Sequence, residues 1–211
     1  MMKQVIQTSK GDILFEPTRE FFNPDKKINK KNSRENILIL RNILIKTKVR
    51  WGLLFGTLLG AVREGDFIEW DIDTDIFVFD EDKQDLLDAM PDLQEQGFRI
   101  IRFNNNRSIL SIERKTDYID FYFFKKSLLG RKCEKYFIPK KFFTDLAEIK
   151  FFEKNFPTFN HVKDYLIFQY GKTWNIKIKD AYATGNIVTF KDILKKKFPQ
   201  IIKFIQSIKN R

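Results

Sequence analysis

The chain has 211 residues, of which 43% are hydrophobic and 32% are charged, and its formal net charge is +11 at pH 7. This length predicts one globular domain, or one domain with a small appendage. The apolar runs are too short and too often interrupted by charge to cross a bilayer, and residues 1–10 lack a secretory apolar segment, so a cytoplasmic protein is expected. The single cysteine excludes an intramolecular disulfide and a cysteine-based zinc cage.

The excess of positive charge indicates an anionic partner. Residues 191–211 contain seven Lys or Arg against one Asp, interleaved with Ile, Leu and Phe, which is typical of a basic amphipathic helix. Two interpretations stay open for this segment. The helix packs on the domain with its lysines in solvent, or it attaches the protein peripherally to anionic lipid at the inner face of the membrane.

The predicted elements begin with an irregular arm over residues 1–32, which contain glycine and prolines and offer at most a short strand. Ser33 is a suitable N-cap, and apolar residues at helical spacing predict a helix from there to about residue 48. The later elements follow from alternation and turn residues. They are a buried strand over 49–55, a turn at Gly56 and Thr57 into a helix over 58–63, a strand over 72–79, a helix over 81–96 broken at Pro91, a hairpin of 98–103 and 107–114, a strand over 118–124, and a helix over 162–170.

These elements predict two parts after the arm. Residues 33–126 are expected to form a compact core of strands and helices. The composition changes after Lys125, and residues 127–211 are expected to form a helical C-terminal portion packed on the core.

Three aspartates alternate at the entrance of the strand predicted over 72–79. Residues two apart in a strand point to the same face, so Asp71, Asp73 and Asp75 would project together. Carboxylates this close repel one another by roughly 1 kcal/mol or more per pair. Such a cluster usually persists around a cation, and oxygen ligands suit Mg²⁺ or Mn²⁺. Asp120, enclosed by apolar neighbours in the strand over 118–124, either pairs with a lysine or joins the same metal, and the upstream trio favours the metal.

Four motifs in a fixed order resemble those of a known family. They are Gly-Thr-Leu-Leu-Gly-Ala-Val-Arg at 56–63, Phe-Ile-x-Trp-Asp-x-Asp-x-Asp at 67–75, Tyr-Ile-Asp-Phe at 118–121, and Tyr-Leu at 165–166 with Tyr-Gly-Lys-Thr-Trp at 170–174. As a set they resemble the LicD/fukutin-related family. The resemblance implies that family's α+β, polymerase β-like nucleotidyltransferase fold, a mixed sheet flanked by helices. The sequence departs from the family at Phe55, Glu69 and Ile72, where glycine, proline and aspartate are frequent.

The resemblance implies a metal-dependent transferase. Its donor would be a CDP-activated alcohol, and the transferred group would be phosphocholine, ribitol phosphate, glycerol phosphate or a similar phosphorylated alcohol. The acceptor would be a hydroxyl of a glycan or lipid-linked glycan in capsule, lipopolysaccharide or other cell-surface polysaccharide synthesis. Nucleic acid is not expected as a partner.

The resemblance also implies roles for individual residues. Asp73 and Asp75 would hold one or two Mg²⁺ or Mn²⁺ ions at the diphosphate. Asp120 would complete the metal site or accept the proton of the attacking hydroxyl. The implied substrate-binding residues are Gly56 and Thr57 at a helix N-terminus, Arg63 as a charged donor to the diphosphate, and Asp71 as a residue that orients a ligand.

Two alternatives remain. The first keeps the fold but transfers a nucleotide from a nucleoside triphosphate to a small molecule, RNA or protein. The second is a non-catalytic basic module that binds nucleic acid, which leaves the carboxylate cluster unexplained because carboxylates repel phosphate unless a metal intervenes.

Overall fold

A seven-stranded mixed sheet organises the protein, and the computed structural model describes residues 3–18 and 26–177. The elements in chain order are β1 (Gln4–Thr8), β2 (Gly11–Phe15), α1 (Lys30–Leu44), β3 (Trp51–Leu53), α2 (Phe55–Arg63), β4 (Thr74–Phe79), α3 (Lys83–Asp88), α4 (Met90–Glu95), β5 (Arg99–Asn104), β6 (Ile109–Arg114), β7 (Asp117–Ser127), β8 (Gly130–Cys133), β9 (Tyr136–Pro139), β10 (Ala147–Phe151), β11 (Lys154–Thr158) and α5 (Val162–Tyr170). Short 3-10 helices cover Asp80–Asp82 and Lys140–Phe142.

The sheet has the strand order β3-β4-β7-β6-β5, and the last part of β7 pairs with β8, which in turn pairs with β9. The pairing of β4 with β7 is parallel, whereas β3–β4, β5–β6 and β6–β7 are antiparallel. Every residue of β4 is buried, which is typical of a central strand covered on both faces. This mixed sheet flanked by helices confirms the predicted α+β fold class.

Aromatic packing joins the last described helix and the β10–β11 hairpin to the sheet. Phe77 of β4 stacks on Phe159 with ring centroids 4.6 Å apart, and Tyr165 of α5 lies 4.1 Å from the same Phe159 ring. Gly52 of β3 allows the hairpin to approach, because a Cβ atom there would lie 2.8 Å from the carbonyl oxygen of Pro157. The hairpin and α5 therefore belong to the same core as the sheet.

The N-terminal arm differs from the sequence-based expectation. Its residues 4–15 form a β-hairpin in which β1 pairs antiparallel with β2. Ile6 and Ile13 are buried while Val5 and Leu14 are exposed, so the period is that of a strand. The helix expected from Ser33 begins earlier, at Lys30, because the side chain of Asn29 accepts a hydrogen bond from the backbone N–H of Asn32 and caps it.

The expected helical C-terminal portion is wrong for its described part, residues 127–177. This segment consists of β8 to β11 followed by one helix, α5, over the predicted bounds. Phe152 and Glu153 connect β10 to β11 with positive φ angles of 49° and 59°. Such a tight turn usually contains Asn or Gly, so the hairpin had no turn signal in the sequence.

Several predicted elements are confirmed with shifted bounds. The strand predicted over 72–79 begins only at Thr74, so Asp71 and Asp73 precede it. The helix predicted over 81–96 is divided into α3 and α4 around Ala89, close to the predicted break at Pro91. The described residues contain no helix that is long and apolar enough to cross a membrane. The basic helix predicted over 191–211 lies outside the described residues.

An ion pair between the buried Arg131 and the partly exposed Glu81 holds β8 against the end of β4. Arg131 donates hydrogen bonds to Glu81 at 2.7 Å and to the carbonyl oxygen of Phe124 at 2.9 Å, and its guanidinium lies 3.8 Å from the centroid of the Phe79 ring. Burial acts to raise the pKa of Glu81, but hydrogen bonds from Arg131 and Lys126 outweigh it and lower that pKa to about 2.

We predict that Glu81→Gln lowers the unfolding free energy at pH 7 by about 1 kcal/mol, after allowance for solvent screening of this partly exposed carboxylate. A pKa lowered by folding contributes stability above the unfolded value of about 4.3, and that contribution is lost as the pH falls towards 2. Denaturant unfolding at pH 7 and at pH 2.5 measures the difference between variant and wild type. Glu95→Gln, at an exposed position, is the control, and a Glu81→Gln deficit that persists at pH 2.5 would contradict the prediction.

Candidate active site

The connection from β3 to α2 holds Asp75 at the start of β4. The backbone N–H of Asp75 donates to Thr57 Oγ1 at 2.8 Å, and the carbonyl oxygen of Asp75 accepts from the N–H of Leu54 at 3.0 Å. The N–H of Gly56 hydrogen-bonds the Asp75 carboxylate. Three residues of one turn therefore fix both the backbone and the side chain of Asp75.

Gly56 also leaves room for Asp71. A Cβ atom at Gly56 would lie 2.2 Å from Asp71 Oδ2, which is closer than any side chain can approach. Burial raises the pKa of the Asp71 carboxyl to about 6, and the N–H of Ile72 acts against this shift. The glycine thus admits a second carboxylate beside Asp75 at the N-terminus of α2.

Asp73 and Asp75 are hydrogen-bonded by two tyrosine hydroxyls of β7. Tyr118 bonds Asp73 and Tyr122 bonds Asp75, and the two tyrosines lie on the same face of β7 as Asp120. Burial, followed by repulsion from the neighbouring aspartates, raises the pKa of Asp73 and of Asp75 well above the usual range, while the tyrosine bonds act to lower both. Negative charge is therefore concentrated here at a high electrostatic cost.

Asp120 lies directly beside Asp75, because β4 and β7 pair in parallel with these two residues opposite each other. Arg102 Nη2 donates to Asp120 Oδ2 at 2.6 Å, and Ser111 Oγ donates to Asp120 Oδ1 at 2.5 Å. Burial raises the pKa of Asp120, and Arg102 and Ser111 act against that effect. Both oxygens of this carboxylate are engaged by the protein.

Three aromatic rings form a wall beside the carboxylates. The ring of Phe55 lies 5.4 Å from that of Tyr122 and 4.6 Å from that of Tyr136, measured between centroids. Burial, followed by the negative charge of Asp75, raises the pKa of Tyr136 to about 12. The backbone of Phe55 has φ +38°, in the left-handed region that favours glycine.

Helix α5 contributes Tyr170, its last residue. Burial, followed by the charges of Asp75 and Asp71, raises the pKa of Tyr170 well above the usual range. The C-terminal end of α5 therefore lies near the same carboxylates as the N-terminus of α2.

Two of the predicted substrate-binding residues are engaged by the protein itself. Thr57 is completely buried, and its hydroxyl oxygen accepts from the N–H of Asp75. Arg63 is at the other end of α2, about 10 Å along the helix from Gly56, and its guanidinium donates to Glu64 at 2.7 Å. The structure thus brings together Gly56 and the four aspartates, but it assigns Thr57 a positioning contact and pairs Arg63 with Glu64.

The residues at the start of β4 fit a divalent cation. They offer only oxygen ligands, Asp73 and Asp75 are held by outer hydrogen bonds, and the carboxylates repel one another without a cation between them. No group of three or more His, Cys, Asp or Glu residues in the described part of the chain is arranged to hold a metal ion. Two carboxylates are sufficient for Mg²⁺ where substrate phosphates and water supply the remaining ligands.

Comparison with known proteins identifies the family of this chain. The sequence model of the LicD/FKTN/FKRP nucleotidyltransferase domain matches residues 48–161, more than half of the chain. The chain belongs to the LicD/FKTN/FKRP family. Among solved structures, lincosamide antibiotic adenylyltransferase LnuA with lincomycin bound is 14% identical, with a TM-score of 0.48 over 72% of this chain and 94% of that chain. A search of curated proteins gave no match.

Family membership confirms the resemblance inferred from the motifs, and it supports a transferase of the nucleotidyltransferase type. The candidate site contains residues that sequence reasoning did not assign to it. Tyr118 and Tyr122 could have been found, because they lie two residues on either side of Asp120 in a strand. Ser111 and Arg102 had no such signal, since they reach Asp120 through the pairing of separate strands.

We predict that Gly56→Ala displaces the Asp71 carboxylate from its buried position. The pKa of Asp71 should then fall from about 6 towards the ordinary value near 4, because burial is the main cause of its shift. Carboxyl-detected NMR of the metal-free protein, with Asp71→Asn to assign the signal, measures this pKa. Gly65→Ala is the control for backbone strain, because its φ is +67° but nothing lies within 4 Å of its Cβ position, so it should leave the pKa of Asp71 near 6. A pKa that stays near 6 in Gly56→Ala would contradict the packing described here.

Proposed function

We propose that this LicD-family domain transfers a phosphorylated small alcohol from a CDP-activated donor to a glycan hydroxyl, with Mg²⁺ or Mn²⁺ bound at Asp73 and Asp75. The donor and acceptor classes rest on family membership. On the same basis, we propose phosphocholine, ribitol phosphate or glycerol phosphate as the transferred group and a capsule or lipopolysaccharide glycan as the acceptor. Peripheral contact of residues 191–211 with anionic membrane is also a proposal.

The observation that carries this proposal is the pair of Asp73 and Asp75. Both carboxylates are held at the start of β4 against their mutual repulsion, and burial and the neighbouring aspartates outweigh the tyrosine and backbone N–H donors that act on their pKa values. Asp120, by contrast, has an arginine partner. A carboxylate pair arranged in this way favours a metal ion, which would neutralise the charge of the donor diphosphate during transfer.

The N-terminus of α2 and the aromatic wall would receive the donor. Backbone N–H groups at a helix N-terminus attract phosphate oxygens, and α2 begins beside the aspartates. An aromatic surface next to Asp75 is formed by Phe55, Tyr122 and Tyr136. This surface can stack on a flat base or contact the alcohol group.

Asp120 would accept the proton of the acceptor hydroxyl. The hydroxyl oxygen forms a bond to the phosphorus that carries the alcohol, and the bond from that phosphorus to the bridging oxygen breaks, so CMP leaves. The hydroxyl proton passes to Asp120, whose orientation Ser111 and Arg102 maintain.

The nucleotide preference separates this function from its alternatives. In a thermal-shift experiment with Mg²⁺, stabilisation by CDP-choline, CDP-ribitol or CMP supports the proposal. Stabilisation by a nucleoside triphosphate alone would favour nucleotidyl transfer instead. A response to RNA or DNA without any nucleotide effect would favour the non-catalytic module.

We predict that the aspartates separate by role. Asp120→Asn should retain metal-dependent binding of the donor but reduce the single-turnover rate by about 10²- to 10⁴-fold, the usual range for a positioned base. Asp73→Asn and Asp75→Asn should weaken metal-dependent donor binding as well, because each removes a metal ligand. Calorimetry with CDP-choline or CMP, with Mg²⁺ and with EDTA, measures the affinity.

The matched control is Asp92→Asn, because Asp92 pairs with Lys10 at an exposed position. This variant should behave as wild type in both measurements. Equal donor affinity with Mg²⁺ and with EDTA in the wild-type protein would count against the metal site. An Asp120→Asn variant that loses donor affinity as severely as Asp73→Asn would remove the base assignment.

A further inference from the structure

Four polar residues form a row across the sheet. Asp75 of β4 pairs with Asp120 of β7, Asp120 with Ser111 of β6, and Ser111 with Arg102 of β5. Besides its bond to Asp120, Arg102 donates from Nε to Ser111 Oγ at 2.8 Å. Arg102 is therefore a cation held at a fixed place beside the carboxylate cluster, on the side of Asp120 away from Asp75.

A β-bulge places Arg102 in this row. Ile100 pairs with Ile112, but the register then shifts, so that Arg102 rather than Ile101 stands opposite Ser111. Regular pairing would put Arg102 opposite Leu110, on the other face of the sheet, because a shift of one residue exchanges the faces. The carbonyl oxygen of Ile101, at the bulge, accepts from the N–H of Thr18 at 3.1 Å. The bulge is thus stabilised by the N-terminal segment.

We propose that Arg102 is a positioning residue that keeps Asp120 out of the metal site. This inference rests on the proposed function, because it assumes a metal at Asp73 and Asp75. Arg102 and Ser111 engage both oxygens of Asp120, and the side chain of Arg102 is only 16% exposed. If Asp120 turned to a metal, it would break its ion pair with a largely buried guanidinium, which is unfavourable.

The neighbouring carboxylates therefore have different roles. Asp73 and Asp75 are left to the metal, and Asp120 remains oriented towards the acceptor hydroxyl. The bulge in β5 produces this difference, because it places Arg102 beside Asp120.

Metal binding tests the inference without an activity assay. Mn²⁺ affinity is measured by electron paramagnetic resonance for wild type, Asp73→Asn, Arg102→Met, Arg102→Lys and the charge-neutral pair Arg102→Met with Asp120→Asn. The pair should bind Mn²⁺ within about twofold of wild type, and Arg102→Lys should do the same, because Asp120 is not a ligand in either. Arg102→Met alone should bind about tenfold more tightly, since it releases Asp120 to the ion as a third carboxylate ligand.

Mn²⁺-soaked crystals give the direct reading. In wild type the anomalous peak should lie at Asp73 and Asp75 with Asp120 still on Arg102, whereas in Arg102→Met an Asp120 oxygen should contact the ion. The inference is overturned by a metal-bound Asp120 in wild-type crystals, a measurement that needs no variant to fold. It is also overturned if the double variant loses as much affinity as Asp73→Asn, or if Arg102→Met leaves the affinity unchanged. Failure of the proposed metal site itself would appear differently, as no Mn²⁺ binding in wild type.

Discussion

The parallel pairing of β4 with β7 is the contact on which the candidate site depends. It sets Asp75 opposite Asp120, although two buried carboxylates repel each other. Apart from Tyr122, the later positions of the same two strands are apolar and almost entirely buried, and they pair in the same register. Burial of these side chains maintains a register that the carboxylates alone would oppose. The apolar residues of β4 and β7 thus stabilise the register that brings the two carboxylates together.

Two kinds of hydrogen-bond donor act against this repulsion, one neutral and one cationic. Asp73 and Asp75 receive neutral donors, the tyrosine hydroxyls of β7 and the N–H of Gly56, which orient the carboxylates but leave their charge in place. Asp120 receives a cation, Arg102, which offsets its charge. The contrast matters chemically because a metal ion needs a negative site, whereas a proton acceptor needs a defined orientation.

Much of this arrangement could be predicted from the sequence, because its cause is local. The spacing of Asp71, Asp73 and Asp75 and the glycine turn before α2 indicated the carboxylate cluster, and β7 and α5 were visible in their patterns. What could not be predicted depends on contacts between distant segments. The Arg102 contact requires a bulge in β5 that has no sequence signature, and the β10–β11 hairpin turns on Phe152 and Glu153 without glycine.

Phe55 combines a left-handed backbone conformation with a ring that packs in the aromatic wall. A non-glycine residue with φ near +38° costs roughly 1–2 kcal/mol of backbone strain, and here the ring recovers part of that energy by packing against Tyr122 and Tyr136. A glycine at this position would have no ring to enclose and would gain nothing from large aromatic partners there. The three positions should therefore vary together, and their combined size should report how much room lies beside the aspartates.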